Sequence, residues 1–575
     1  MMPITRRFPP AADGLPRSTL ENGFVIFVAL ILCLNYSKSL TLAILNFSFL
    51  MLPGLFIFAI TGQRIRALTI ASVIVIATHL FARLKILYYK NILMASDLYV
   101  VLDPSNWDIL NQYPVAGLGI VLMLALLIYF ILRNRIEKRT SLAPRCAAFV
   151  MGILLIGVVN FYRNDSFSQE QWSARLPWGQ GTYANLIFSS RLLQYSPPKF
   201  SGDARLFLGC DPCEEKAAAI KNHEPSSLQK KPDIVVILQE STVNPALFNL
   251  PNVALPPLKM FQPNSDTYAQ SLLRVHTFGG GTWLSEFSLI SGLSSRDFGA
   301  MAMSVYYTVT PHLTTSLVKN LKENGYHTVV LTPSNKSAYN AESAYRDFGF
   351  DEVLQPQDLG YPGSKTKNLW EIESAELLKY AKKIVERKTD QPLFLFMLTL
   401  KEHGPYDEDH PLLYRLDRSG LEIKKARQMS DYISRVEALS QATEAFSTFL
   451  MQRKNPTMLV YFGDHQSLSF DDPKMYNTKI ADTRLLTQFV MRKNYPLRTL
   501  RPQRKEFELL DIALLSGLIL EVAERPLRAE RKQNDFFSAN IKMRQLCQGR
   551  LEDCPDQRLV KSYRHYIYET LKVAG

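Results

Sequence analysis

Cysteine is scarce in this chain, with six in 575 residues, and no strand-like run leads into the C-x-x-C spacing at Cys210-Asp211-Pro212-Cys213. Thioredoxin-type redox chemistry is thereby set aside. A small-residue cleavage site is also missing near the N-terminus. Arg6, Arg7 and Arg17 precede a long apolar run, so the first apolar helix is expected to stay as an anchor. Missing too is a basic stripe interleaved with aromatics, and the formal net charge of +13 therefore does not read as nucleic-acid binding. Membrane topology and attraction to anionic headgroups explain the excess better.

What is present divides in two. A chain of 575 residues is too long for one core. A hydrophobic fraction of 47% averages an apolar front part, residues 22–162, with a soluble-type part from about 230 onward. Hydropathy picks out about five spans, at roughly 22–37, 40–61, 67–88, 115–133 and 146–162. The first is short and Pro53 interrupts the second, faults that tilt and helix neighbours compensate. Lys and Arg fill the N-terminal tail, the loop with Arg64 and Arg66, and the loop with Arg133, Arg135, Lys138, Arg139 and Arg145. The loop 89–114 holds Asp97, Asp103 and Asp108 instead. The positive-inside rule then puts the N-terminus in the cytoplasm, and an odd number of spans puts everything after residue 162 outside.

The organisation expected is a helical transmembrane domain over 1–162, a juxtamembrane connector over 163–230, a catalytic domain over 231–525 and a C-terminal extension over 526–575. In the connector, Trp172, Trp178, Tyr183 and Tyr195 suit either an interfacial segment or a helical linker packed on the next domain. Cys33 and Cys146 lie in or beside apolar spans and read as fillers. Cys210, Cys213, Cys547 and Cys554 fall on the outer side, where an even set implies disulfides. Two local bridges are the simplest of the three pairings, with a cysteine-rich zinc site as the competing reading.

The outer half alternates apolar runs at 233–239, 328–332, 393–400, 457–463 and 485–491 with helical stretches. Such runs fit an α/β domain with a largely parallel sheet buried on both faces. Ligands of open α/β sheets bind beyond the carboxyl ends of strands. Glu240 follows the first run, His403 the third, and Asp464-His465 the fourth. Thr282 follows Gly279-Gly280-Gly281 and opens a helix-like stretch from Trp283. There it is either a nucleophile near backbone N–H donors or an N-cap, and the two roles can coexist. Thr277 and Ser241 are rival hydroxyls without both features.

A neutral Thr hydroxyl must be activated, and a divalent metal does this for a bound oxygen. Glu240, Asp464, His465 and Thr282 offer oxygen and nitrogen ligands for one such ion, manganese favoured and zinc the alternative. His403 is placed to face phosphoryl oxygens or to protonate a leaving oxygen.

At these residues the chain resembles the lipoteichoic acid synthase and sulfatase-like branch of the alkaline phosphatase superfamily. The likeness spans roughly residues 20–525, carried by V-V-I-L-Q-E-S at Glu240, G-G-G-T-W-L-S-E-F at Thr282, T-L-K-E-H-G-P-Y at His403 and Y-F-G-D-H-Q at Asp464 and His465. The resemblance implies Glu240, Thr282, Asp464 and His465 as metal ligands, Thr282 as nucleophile and His403 as a phosphate-contacting group. It further implies transfer of a headgroup from a membrane phospholipid, phosphatidylglycerol or phosphatidylethanolamine, to a glycan hydroxyl through a phospho-threonine, at a bacterial inner membrane with the catalytic domain in the periplasm. The family's Trp-Asn-Arg stretch reads Tyr339-Asn340-Ala341 here, so Tyr339 and Asn340, with Trp283, are the candidate substrate-binding residues. Thr282-Trp283-Leu284-Ser285 does not supply the C/S-x-P-x-R motif of true sulfatases, which disfavours sulfate-ester hydrolysis. The alternatives are a phosphodiesterase that passes the group to water, and a non-catalytic membrane scaffold.

Overall fold

The run D-I-V-V-I-L-Q forms β1 (Asp233–Gln239), buried along its whole length. It lies in one eight-stranded sheet with β2 (Thr267–Arg274), β3 (His327–Leu331), β4 (Glu352–Leu354), β5 (Leu393–Leu398), β6 (Thr457–Gly463), β7 (Leu486–Lys493) and β8 (Leu509–Asp511). The order is β4-β3-β5-β1-β6-β7-β2-β8. β1 runs parallel to β5 and β6, β3 to β4 and β5, and β2 to β8, while β7 opposes both β6 and β2. These coordinates come from a computed structural model, which describes residues 40–575 apart from internal stretches, the longest being 130–137, 173–180, 210–229, 407–415, 497–506 and 524–530.

Strand periodicity sends alternate side chains to opposite faces. Ile234, Val236 and Leu238 enter one core and Val235 and Ile237 the other, and the same alternation repeats in Phe394, Phe396 against Leu395, Met397 of β5. Each fully buried aliphatic side chain contributes about 1.5–3 kcal/mol, so a β1 covered on both faces is firmly held. All five strands expected from apolar runs are present. β2, β4 and β8 were not expected. β2 reads T-Y-A-Q-S-L-L-R and is half-exposed, while β4 and β8 have three residues each.

The chain forms two compact units, residues 1–95 with 113–191, and residues 96–112 with 192–575. In the first, the helices Leu40–Thr61, Arg64–Tyr89 and Leu142–Asn164 are long and apolar enough to cross a membrane. The expected span at 22–37 lies outside the described residues, and that at 115–133 largely so. Leu40–Thr61 runs through Pro53 without a break. Its last carbonyls are capped by Arg145, which donates to Ala59 O at 3.0 Å and Ile60 O at 2.9 Å, a cation at a negative helix end. Trp172 and Tyr183 are buried within this unit, whereas Tyr195 stacks on His312 in the second, with ring centroids 4.1 Å apart. Trp178 lies outside the described residues.

The helices Arg531–Leu546 and Gln557–His565 belong to the second unit's core through Phe536, Phe537, Val560 and Tyr563. Between them a disulfide joins Cys547 to Cys554, one of the two local bridges expected. Cys210, Cys213 and Cys33 lie outside the described residues, and Cys146 is an exposed free thiol. The bridged loop docks on the sheet edge: Asp511 N–H donates to Gly549 O at 2.8 Å, and Arg274 pairs with Asp553 at 2.7 Å.

Gly463 ends β6 against the backbone leaving β1. A Cβ there would stand 1.8 Å from the Thr242 carbonyl oxygen. Gly463→Ala is expected to cost about 1–3 kcal/mol of stability through overpacking, read as a lower midpoint in urea melts. An unchanged midpoint would show that the two strand ends are not so closely apposed.

Candidate active site

The two strands that lie side by side at the centre of the sheet, β1 and β6, end on Glu240 and on Asp464-His465. Just past Glu240 the backbone turns sharply, with Ser241 at φ 49°. That region disfavours a residue with a Cβ and persists only where neighbours hold it. Three contacts do so. Ser241 N–H donates to Asp464 Oδ1 at 2.8 Å, Tyr432 OH donates to Ser241 O at 2.9 Å, and Val243 N–H donates to Tyr432 OH at 3.0 Å. The Ser241 hydroxyl donates to Glu240 Oε1 at 2.9 Å.

Thr282 is the first residue of the helix Thr282–Ser291, and Gly281, in the left-handed region, is its N-cap. Thr282 therefore does not cap. Its hydroxyl donates to Glu240 Oε2 at 3.1 Å. Glycine is required just before it: a Cβ on Gly279 would overlap Leu468 at 2.1 Å, and Gly279 N–H donates to Gln466 O at 2.9 Å, tying this loop to the exit of β6. One turn on, Ser285 donates to Asp464 O at 2.6 Å. The rival hydroxyl of Thr277 is spent on Gly280 O.

Electrostatics at this cluster favour a cation. Glu240, Asp464 and His465 are buried and offer one ligand atom each, all within 4.8 Å of one another. The carbonyl of Gln466, only an acceptor, lies 3.1 Å from His465 Nδ1 and so assigns the ring proton to that nitrogen. The lone pair of Nε2 then faces Glu240 Oε1 at 3.4 Å and Asp464 Oδ2 at 3.3 Å. Both Asp464 Oδ2 and His465 Nε2 are buried without a hydrogen-bond partner. Burial, reinforced by the Glu240 charge, pushes the Asp464 carboxyl well above its usual range, against the N–H donors of Ser241 and His465. Burial likewise lowers the His465 imidazole, against the pull of Glu240. Orphaned oxygen and nitrogen lone pairs converging in a buried pocket of negative charge fit a divalent metal.

The structure thus brings Glu240, Thr282, Asp464 and His465 together. His403 stands apart from that cluster, following β5, the other strand beside β1. Its ring packs on Trp370 with centroids 5.0 Å apart. Its carbonyl is gripped by Arg435, whose guanidinium donates to His403 O at 2.8 Å, Lys401 O at 3.0 Å and Pro405 O at 3.1 Å while paired with buried Asp431 at 2.9 Å. Trp283 and Tyr339 stack on each other at 4.8 Å, and the Asn340 amide donates to Tyr306 O at 2.7 Å. The sequence gives no direct sign of Thr399, which accepts from Glu240 N–H at 3.1 Å and donates to Glu402 at 2.7 Å. Ser285 and Glu286 follow one turn on in the same helix, where helical spacing puts both on the Thr282 face.

The chain is similar to several known proteins. A sulfatase family model matches residues 232–498. An uncharacterized protein of Haemophilus influenzae is 41% identical over 526 residues, 90% of this chain and 92% of the relative. The lipoteichoic acid synthase-like YvgJ of Bacillus subtilis is 27% identical over 199 residues, 33% of this chain and 30% of that protein. Among solved structures, the phosphoglycerol transferase GacH of Streptococcus pyogenes, in complex with sn-glycerol-1-phosphate, shares the fold at a TM-score of 0.50 and 16% identity, covering 66% of this chain and 98% of that one. Residues 232–498 of the chain thus belong to the sulfatase family, and the whole chain is a relative of the Haemophilus influenzae protein.

Two outcomes are expected. Asp464→Asn should abolish stoichiometric binding of Mn2+ or Zn2+ to the purified protein in calorimetry and elemental analysis, and retention at wild-type affinity would remove the cluster as a metal centre. Glu286 is fully buried, accepts from Tyr345 OH at 2.5 Å, and is lifted by burial from 4.5 to about 7. A folded value above the unfolded one contributes stability that is full below the unfolded value and lost as pH rises through the folded value. The stability advantage of wild type over Glu286→Gln should therefore shrink from about pH 5 to about pH 8 in thermal melts. An equal difference at both would show that the buried acid does not hold a proton.

Proposed function

We propose that this chain is a membrane phosphotransferase that moves a phospholipid headgroup to an extracytoplasmic glycan through a phospho-threonine at Thr282. The observation that carries the reading is the Thr282 hydroxyl bonded to Glu240 Oε2 beside the orphaned Asp464 Oδ2 and His465 Nε2. Glu240, Asp464, His465 and Thr282 would hold one divalent metal, manganese favoured and zinc next. Bound there, the metal supplies Lewis-acid stabilisation of an oxygen nucleophile at neutral pH.

The chain's own groups do the rest. Glu240 orients the Thr282 oxygen. The first turn of the Thr282–Ser291 helix presents free backbone N–H groups and the positive end of a dipole to phosphoryl oxygens. Thr282 Oγ1 gives its proton to Glu240 Oε2, the acceptor it already faces, and forms a bond to phosphorus as the bond from phosphorus to the diacylglycerol oxygen breaks. His403 gives that oxygen its proton. A glycan hydroxyl then attacks the same phosphorus, His403 takes its proton, and Thr282 leaves as it began. Phosphoglycerol is the favoured group, as in the named transferase that shares the fold, and phosphoethanolamine the next.

The distribution of Lys and Arg supports an inner-membrane protein with a cytoplasmic N-terminus and a periplasmic catalytic domain. Three membrane-length apolar helices among the described residues support the anchoring.

Mass spectrometry of the full chain incubated with isotope-labelled phosphatidylglycerol and phosphatidylethanolamine tests the reading. A headgroup-phosphate adduct on Thr282 is expected, and Thr282→Ala should lose at least about 10³-fold in transfer rate. Transfer that persists in Thr282→Ala would overturn it, and release of free glycerol phosphate with no modified glycan would identify a phosphodiesterase instead.

A further inference from the structure

Residues 96–112 lie in sequence between two apolar stretches, yet they pack with residues 192–575. The segment is a short helix, Asp97–Leu102, followed by a 3-10 turn, Pro104–Asn111. Its anchor is Asn106, only 6% exposed. Asn106 Oδ1 accepts from Tyr339 N–H at 2.5 Å, and Asn106 Nδ2 donates to Val100 O at 2.9 Å and to Tyr307 OH at 3.2 Å. Both amide donors and the acceptor are therefore in use. The surroundings reinforce the dock. The Ser105 hydroxyl lies 2.7 Å from Ser337 O, Tyr307 OH donates to Asp103 Oδ2 at 3.0 Å, and Tyr99 stacks on Tyr307 at 5.5 Å.

The residue that Asn106 grips is in an unfavourable conformation. Tyr339 and Asn340 are consecutive non-glycine residues with φ of 54° and 61°. Such a pair persists only when its surroundings over-determine it. Its result is the stack of the Tyr339 ring on Trp283, the residue after Thr282. Both rings are half-buried, so the stack keeps an open face.

We infer that Asn106 is a positioning residue: by holding the Tyr339 N–H it fixes the left-handed Tyr339-Asn340 turn and so sets the Trp283–Tyr339 aromatic wall that receives substrate beside Thr282. The inference rests on the phosphotransferase reading for its kinetic consequence, but not for its geometric one. Asn106 touches none of Glu240, Asp464 and His465, so it acts on binding and leaves the bond-making step alone.

The test uses the full-length chain in phosphatidylglycerol vesicles with Asn106→Ala, Tyr339→Ala and the double variant. Asn106→Ala should speed hydrogen exchange at the Tyr339 amide and raise KM for headgroup transfer about tenfold with kcat held, and this effect should fall below about twofold in the Tyr339→Ala background. Hydrolysis of the small diester bis(p-nitrophenyl) phosphate should be unchanged. Equal losses on both substrates, or additive losses in the double variant, would reduce Asn106 to a general structural residue and overturn the proposal. Should wild type show no transfer, the functional reading fails, while unchanged exchange at Tyr339 would on its own overturn the positioning role.

Discussion

Two acids held side by side in a buried place are the constraint around which this domain is arranged. Glu240 and Asp464 leave adjacent parallel strands at the same edge, and the His465 lone pair is turned toward both. Like charges removed from water repel, and the imidazole, with its proton on the far nitrogen, does not relieve them. The neighbourhood supplies only partial compensation, from the hydroxyls of Ser241 and Thr282 and the N–H groups of Ser241 and His465. A strained turn, a glycine with no room for a methyl group and a triple-glycine approach are what bring those groups into place. Their cost is intelligible if a cation completes the set.

Much of the scaffold was legible in the sequence because the central strands are buried on both faces and so are written as unbroken apolar runs. β1 and β6 were read to the residue, and their ends gave Glu240, Asp464 and His465. The edge strands were not readable on that rule. β2 carries Thr267, Gln270 and Ser271 and is half-exposed, and three-residue β4 and β8 are too short to show a period. The site followed the same division. Thr282 declared itself through the glycines before it, but Thr399 and Arg435 act through partners far away in sequence, at Glu240 and at the carbonyls beside His403. Nothing local marks such residues.

The loop after β5 shows how a buried charge is used without being exposed to substrate. Arg435 and Asp431 sit one turn apart on the helix Ile423–Met451 and neutralise each other, leaving the guanidinium fork free to collect three carbonyls around His403. Removing one partner of such a pair strands the other, at about 3–5 kcal/mol. The imidazole's position is thus set by main-chain contacts, including that of its own Nδ1 with Gly404 O, and by the Trp370 ring.

The interval of 233 residues between Asn106 and Tyr339 has a bearing on synthesis. At about 5–20 residues per second, the segment 96–112 emerges on the order of ten to fifty seconds before the tyrosine it is to hold. For most of that time Val100 is the one of its three partners already made. The unit closes late, once its most distant stretches have been translated, and an excised fragment starting at residue 192 would never close in the same way.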